Sequence, residues 1–314
     1  MQAPRTPEQI RDVNTRYHDV AASGYDQKWG IDFGPTGRAQ VLAKARRGLG
    51  ARIDGGFPRA LEVGAGTGYF GLHLAQAGVI SELTCTDISA GMLETLSANA
   101  TALGLEAVET VRTDAEELPF ADQSFDLVFG HAILHHLPDL ERAFAEFHRV
   151  LRPDGRILFA GEPSSVGDRL ARVPKRAAQL AAPLWRRALG AAAAHAPDED
   201  RGPQRSGHDL EGEVDIHTFE PGQLACLARG AGLIDVEVQG EELLANWFGW
   251  FNRGLESTAV SSDVPWCWRQ YAFRGYLYLQ RLDRAALEPH LPTALFYNLL
   301  LSGRRPADGA EQLA

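Results

Sequence analysis

The stretch Leu61-Glu62-Val63-Gly64-Ala65-Gly66-Thr67-Gly68 sets three glycines at alternate positions, with an acid two residues before the first. Glycine permits a tight turn and lets the backbone approach a ligand closely. A dinucleotide turn of the form G-x-G-x-x-G would need glycine at position 69, where Tyr69 stands. Further on, the next strand ends at Asp87, 21 residues after Gly66, and a carboxylate there can accept hydrogen bonds from both hydroxyls of a ribose. Asp114-Ala115-Glu116 puts an acid where the exocyclic amine of an adenine could donate. His131, His135 and His136 then cluster in His131-Ala-Ile-Leu-His135-His136-Leu-Pro-Asp139. Imidazole titrates near neutral pH and suits proton removal, although a histidine at a helix start also serves as a plain cap or core residue.

These residues need elements to hold them at one edge. Thr6 as N-cap, Pro7 in the first turn and Ile10, Val13, Tyr17 and Val20 at near-helical spacing predict one or two helices from Thr6 to Trp29. A second helix is expected over 37–48. Strands follow at 60–63, 82–86, 107–112, 125–129 and 156–160, separated by helices over 70–77, from Ser89, and from Asp139 to about Val150. Single helices between strands imply right-handed crossovers and a parallel sheet covered on both faces. Ligands in such sheets bind outside the carboxyl ends of the strands, where every residue above falls. The rhythm breaks over 164–216, whose end from Ala196 to Gly212 reads as loop. It resumes with a helix from Pro221 to about Gly230 and a strand over 233–238. A second insertion spans about 241–290, and 294–301 reads as a closing strand.

The 314 residues are 45% hydrophobic and 23% charged, the composition of a globular protein with a real core. The amino terminus shows no charged start followed by an apolar stretch, so the cytoplasm is the expected compartment. Cys85, Cys226 and Cys267 lack metal-ligand spacing and are expected to be buried small apolar residues; no metal is expected. The net charge of -10 argues against nucleic acid as a partner.

In order, E-x-G-x-G-x-G, T-D-I-S, D-A-E-E-L-P-F, F-D-L-V-F-G-H-A-I-L-H-H-L-P-D and L-R-P-D-G resemble the class I S-adenosylmethionine-dependent methyltransferases. The likeness is greatest to the group around the ubiquinone and menaquinone C-methyltransferases. It covers roughly 59–163, and more loosely 217–240 and the closing strand. It implies an α/β, Rossmann-like class I methyltransferase fold, a seven-stranded mostly parallel sheet with helices on both faces, an antiparallel last strand and two insertions. The expected division is an N-terminal helical cap (1–50), a cofactor-binding half (51–163), a lid (164–216), the rest of the α/β domain (217–240 and 291–304) and an aromatic insertion (241–290).

The implied cofactor is S-adenosyl-L-methionine, with S-adenosyl-L-homocysteine as product. By position in the motifs, Glu62, Gly64, Ala65, Gly66 and Gly68 would hold its methionine part, Asp87 its ribose, and Asp114 with Ala115 its adenine. Ile88 and Met92 would line the same site, the backbone around His131 would lie beside the sulfonium, and Tyr17 and Tyr25 would cover it. Methyl transfer is an in-line displacement on a cation, and a base is needed only where the acceptor is a hydroxyl or an acidic carbon. His135 is the candidate base, with His136 or Glu162 as partner or substitute.

The insertions bear on the acceptor. Arg169, Arg172, Lys175, Arg176, Arg186 and Arg187 interleave with Leu170, Val173, Ala177, Leu180 and Leu184 at roughly helical spacing. Such a helix suits an anionic membrane surface or a lid with a solvated face; Pro174 and Pro183 should break it, which disfavours membrane contact. Ten aromatics between Trp247 and Tyr278 suit a pocket for a flat apolar acceptor, a homodimer interface or ordinary core packing. The expected function is methylation of a small apolar or aromatic metabolite, oxygen being favoured over carbon or nitrogen by analogy. A membrane-associated quinone or lipid is the alternative acceptor. The rival readings are a non-catalytic S-adenosylmethionine-binding scaffold, a dinucleotide oxidoreductase, which Tyr69 opposes, and an RNA or protein methyltransferase, which the acidic balance and the absence of an N/D-P-P-Y/F motif oppose.

Overall fold

The computed structural model describes residues 6–26, 30–194 and 217–307. The expected helix end at Trp29 and the loop-like stretch from Ala196 to Gly212 lie outside the described residues. Helix α1 (Pro7–Ala21) starts at Thr6, whose hydroxyl accepts from the Gln9 amide while the Gln9 side chain accepts from the Thr6 amide. Helix α2 (Pro35–Leu49) leads into β1 (Phe57–Val63), α3 (Tyr69–Gln76), β2 (Ile80–Asp87), α4 (Ala90–Ala102), β3 (Val108–Arg112), β4 (Phe125–His131), α5 (Leu140–Val150) and β5 (Leu151–Pro163). Ser89 and Asp139 cap α4 and α5 as expected, accepting from the Met92 and Arg142 amides.

The seven strands lie in the order β3-β2-β1-β4-β5-β7-β6, where β6 is Ile234–Glu241 and β7 is Asn298–Arg304. β7 is antiparallel to both neighbours, and the pairs among β1 to β5 are parallel. β1 pairs with β2 on one side and β4 on the other, so the strand order reverses there and a crevice opens at their carboxyl ends. Alternate strand residues feed the two cores: Leu61, Val63 and Val128 pack with Phe144 and Phe147 on one face, while Ala60, Leu127 and Phe129 pack with Val41, Phe70 and Leu72 on the other. The closing strand begins later than expected because Thr293–Leu295 forms a 3-10 turn, and it continues through Ser302, Gly303 and Arg304. Ladder pairing on both sides satisfies that polar end, which hydropathy alone would not assign to a strand.

Between β5 and β6 come α6 (Ser165–Leu189) and α7 (Pro221–Gly230), and between β6 and β7 come α8 (Leu244–Glu256) and α9 (Trp266–Leu282). The expected break at Pro174 and Pro183 is absent: α6 is one helix of 25 residues. Its buried residues, Gly167, Ala171, Pro174, Ala178, Ala182 and Trp185, form a single stripe, and burying that stripe against α8 offsets the backbone hydrogen bonds the prolines remove. Small residues bring the helices close; a Cβ on Gly254 of α8 would lie 2.8 Å from the Ala178 Cβ. Trp185, Leu255, Ala259 and Val264 form a third core, with Phe251 and Trp268 packed against it. The expectation for the cysteines holds for Cys85 alone, since Cys226 and Cys267 are exposed. Cys226 follows Leu224 and Ala225, which occupy the buried face of α7, and so points away from it.

Candidate functional site

β1 ends at Val63, and Gly64 turns the chain with a φ of +61°. A Cβ there would sit 2.3 Å from the Ile133 Cδ1, so both backbone and packing require glycine. Gly66 also has a positive φ, +53°, but nothing lies within 4 Å of where its Cβ would be. Open space over such a backbone is a cradle that a ligand can fill. The Gly66 amide donates to Asp87 Oδ2 and the Ser89 amide to Oδ1, both at 2.9 Å. These bonds fix the carboxylate at the mouth of the turn and leave each oxygen a second lone pair for a ribose hydroxyl.

Glu62 is enclosed beneath the turn, where both its oxygens accept from the Gly71 amide at 3.1 and 3.2 Å. Burial pushes its carboxyl up to about 8 against the opposing pull of that amide. It thus fastens the start of α3 to β1 and supports the turn from below. Ala65 and Gly68 close the turn through a 2.9 Å backbone bond. Ile88 is half-buried after Asp87, and Met92 is wholly buried behind the start of α4.

Asp114 follows β3 and accepts from the Glu116 amide. Arg11 of α1 reaches across to pair with both Asp114 and Glu116, while Ala115 is buried between these acids. Tyr17 is buried, with its ring edge-on to His18 at 5.0 Å; His18 in turn lies 6.4 Å from Tyr25 and 5.5 Å from His136. Asp19 accepts from the Ser89 hydroxyl and the Gly91 amide, and Asp26 from Thr67 Oγ1 and Asn99 Nδ2. The amino-terminal segment is therefore tied to the glycine turn, to α4 and to the loop after β3. The sequence reading missed Arg11, Asp19 and Asp26, whose signal is only a set of charges on a helix.

At the end of β4 the His131 ring stacks on Phe70 and meets Tyr69 edge-on, each at 5.6 Å. Burial, reinforced by the Lys44 cation, lowers its pKa to about 4, so the ring is neutral at pH 7 and sets no positive charge against a cationic ligand. His135 Nδ1 lies 2.8 Å from Glu162 Oε2. Glu162 is fully buried and also accepts from the Ile133, Leu134 and His135 amides at 2.9, 3.0 and 3.2 Å. A carboxylate so occupied orients rather than abstracts, which sets Glu162 aside as a substitute base. With the proton on Nδ1, Nε2 is the basic nitrogen of His135. The His136 ring lies 4.0 Å from that of His135.

A further cluster stands at the same sheet edge. Lys44 Nζ lies 3.0 Å from Glu241 and 3.1 Å from Glu242, all three buried. Glu242 also accepts from Tyr276 Oη, Gln280 Nε2 and Asn298 Nδ2, at a φ of +63° that non-glycine residues seldom adopt. Burial alone would neutralise these groups, but their mutual attraction holds the ammonium above and the Glu242 carboxyl below their ordinary values. Two adjacent acids at a strand end were its only sequence signal.

The reversed strand order, the antiparallel β7 and a glycine turn facing an acid on the next strand define a Rossmann-like class I methyltransferase fold. Residues 61–159 match the family model described as a methyltransferase domain. It is 35% identical over 144 residues to malonyl-[acyl-carrier protein] O-methyltransferase of Methylococcus capsulatus, covering 43% of this chain and 52% of that protein. It is 32% identical over 153 residues to sterol methyltransferase-like 1 of Botryococcus braunii, covering 46% of this chain and 39% of that protein. The chain thus spans about half or less of the length of these relatives. Haemonchus contortus phosphoethanolamine N-methyltransferase 2, solved in complex with S-adenosyl-L-methionine, shares the fold at a TM-score of 0.57 and 18% identity, over 95% of this chain and 60% of that one.

Proposed function

We propose that the chain transfers a methyl group to a hydroxyl of a small apolar or aromatic metabolite, with His135 as general base. The 2.8 Å contact between His135 and the buried Glu162 carries this reading. Gly64, Ala65, Gly66 and Gly68 form the cradle for the methionine part, with Glu62 supporting it; Asp87 takes the ribose, and Asp114 with Ala115 the adenine, beside Ile88 and Met92. Tyr17 and Tyr25 cover the site. Bound there, S-adenosylmethionine supplies an electrophilic methyl group. Glu162 holds the Nδ1 proton of His135, and Nε2 takes the proton from the acceptor hydroxyl as that oxygen becomes nucleophilic. Neutral His131 flanks the sulfonium without repelling it.

A quinone or lipid acceptor fits the same site chemistry. It would accord with the motif likeness to the quinone C-methyltransferases and with the exposed apolar face of α6 described below. The cytoplasm remains the expected compartment, and the exposed aromatics of α9 suit a homodimer as well as an acceptor. The test is S-adenosylhomocysteine release from a panel of phenols, quinols and lipids. His135→Ala should lower kcat by about 10²–10⁴-fold while S-adenosylmethionine binds as before. Unchanged kcat would remove the base, and tight cofactor binding with no turnover on any acceptor would favour the scaffold reading.

A further inference from the structure

From the outer face of α6 we infer a docking surface for an anionic lipid bilayer. The helix buries one stripe against α8, and on the opposite side exposes Val173 (58%), Leu180 (84%) and Leu184 (73%), whose spacing of seven and four residues keeps them in line. Exposed Ala177 extends the line between them. At about 1.5 Å per residue, 25 residues give a rod about 37 Å long. Because the prolines do not interrupt it, the stripe is continuous.

Charge selects the occupant. The chain as a whole carries -10, yet α6 holds six cationic side chains and one acid, Asp168. Two of the cations turn inward: Lys175 lies 4.0 Å above the Trp250 ring, and Arg186 donates to the Thr258 carbonyl. Arg169, Arg172, Arg176 and Arg187 are exposed beside the apolar line. An apolar line flanked by arginines on an otherwise acidic molecule matches an anionic interface, where such a helix lies in plane and buries its apolar face by roughly 5–10 Å. A second copy meeting this helix through the same face would set arginines against arginines instead. Among the described residues no helix is long and apolar enough to cross a membrane, so the contact is peripheral.

α6 follows directly on β5, whose end carries Glu162. Docking therefore keeps the end of β5 within one helix length of the bilayer and favours an acceptor dissolved in the bilayer; that consequence, unlike the docking, rests on the proposed methyl transfer. The experiment is co-sedimentation of the purified chain, without cofactor or acceptor, with vesicles of phosphatidylcholine alone or with about a third phosphatidylglycerol. Binding should require phosphatidylglycerol and weaken with salt. Arg172→Ala and Arg176→Ala should each reduce affinity about fivefold. Leu180→Ser with Leu184→Ser should abolish binding while the melting temperature is held, since both leucines are exposed. Absence of binding, equal binding to both vesicle types, or a dimer dispersed by the leucine changes without vesicle binding would each overturn the inference. If docking holds but no bilayer-dissolved acceptor is methylated, the acceptor reading fails and the docking stands.

Discussion

Glu62, enclosed beneath the glycine turn, titrates at about 8 because burial penalises its charged form, whereas the exposed group titrates near 4.5. Between those values the folded chain keeps a proton that the unfolded chain has lost, so this residue reduces stability as pH rises through the window. Glu62→Gln retains an acceptor for the Gly71 amide and cannot ionise. Calorimetry should show a smaller fall in melting temperature from pH 5 to pH 8 in that variant than in the wild type; parallel curves would mean that the carboxyl is ionised at neutral pH. His131 acts at the acid end, where its pKa is lowered from 6.5 to about 4, and its contribution is lost as pH falls through that range. The sequence displayed these residues clearly, because a strand, a turn and the next strand end suffice to place them. It did not display that Glu62 sits under the turn, since burial depends on what packs over a side chain.

The two insertions, separate in sequence, share one core in which Trp185 of α6 meets Trp268 of α9 at 5.2 Å while Leu255 of α8 lies beneath. Trp185→Ala should therefore cost about 3–5 kcal/mol, the range for deleting a large buried ring, read from denaturant unfolding. A loss below 1 kcal/mol would mean that α6 is held chiefly by its amino-terminal half. Proline positions suggested short helical pieces because a local rule was applied to a helix stabilised by tertiary packing. The ten aromatics allowed three readings for a similar reason. Trp268 and Phe251 pack against the shared core, whereas Trp266, Tyr271, Phe273 and Tyr278 remain exposed, and only the neighbouring helices decide between those fates.

Across the whole molecule, the glycine turn, Asp87 and the amino-terminal segment converge on one crevice at the point where strand order reverses. A ligand that binds only the folded chain stabilises it by about 2.7 kcal/mol at 100 times its Kd. S-adenosylmethionine should thus raise the melting temperature of the wild type, and Asp87→Ala should abolish most of the rise; an equal rise in both would remove Asp87 from the cofactor site. The sequence by itself determined the alternation of strands and helices and the glycine turn facing Asp87, because each depends on periodicity or on residues a few positions apart. Tertiary structure alone decided the rest. Arg11 meets Asp114 and Glu116, and Lys44 meets a glutamate 197 residues away, only once the sheet has brought their elements together. α6 becomes one amphipathic rod only when α8 covers its other face, because burial, unlike periodicity, is a property of the assembled fold.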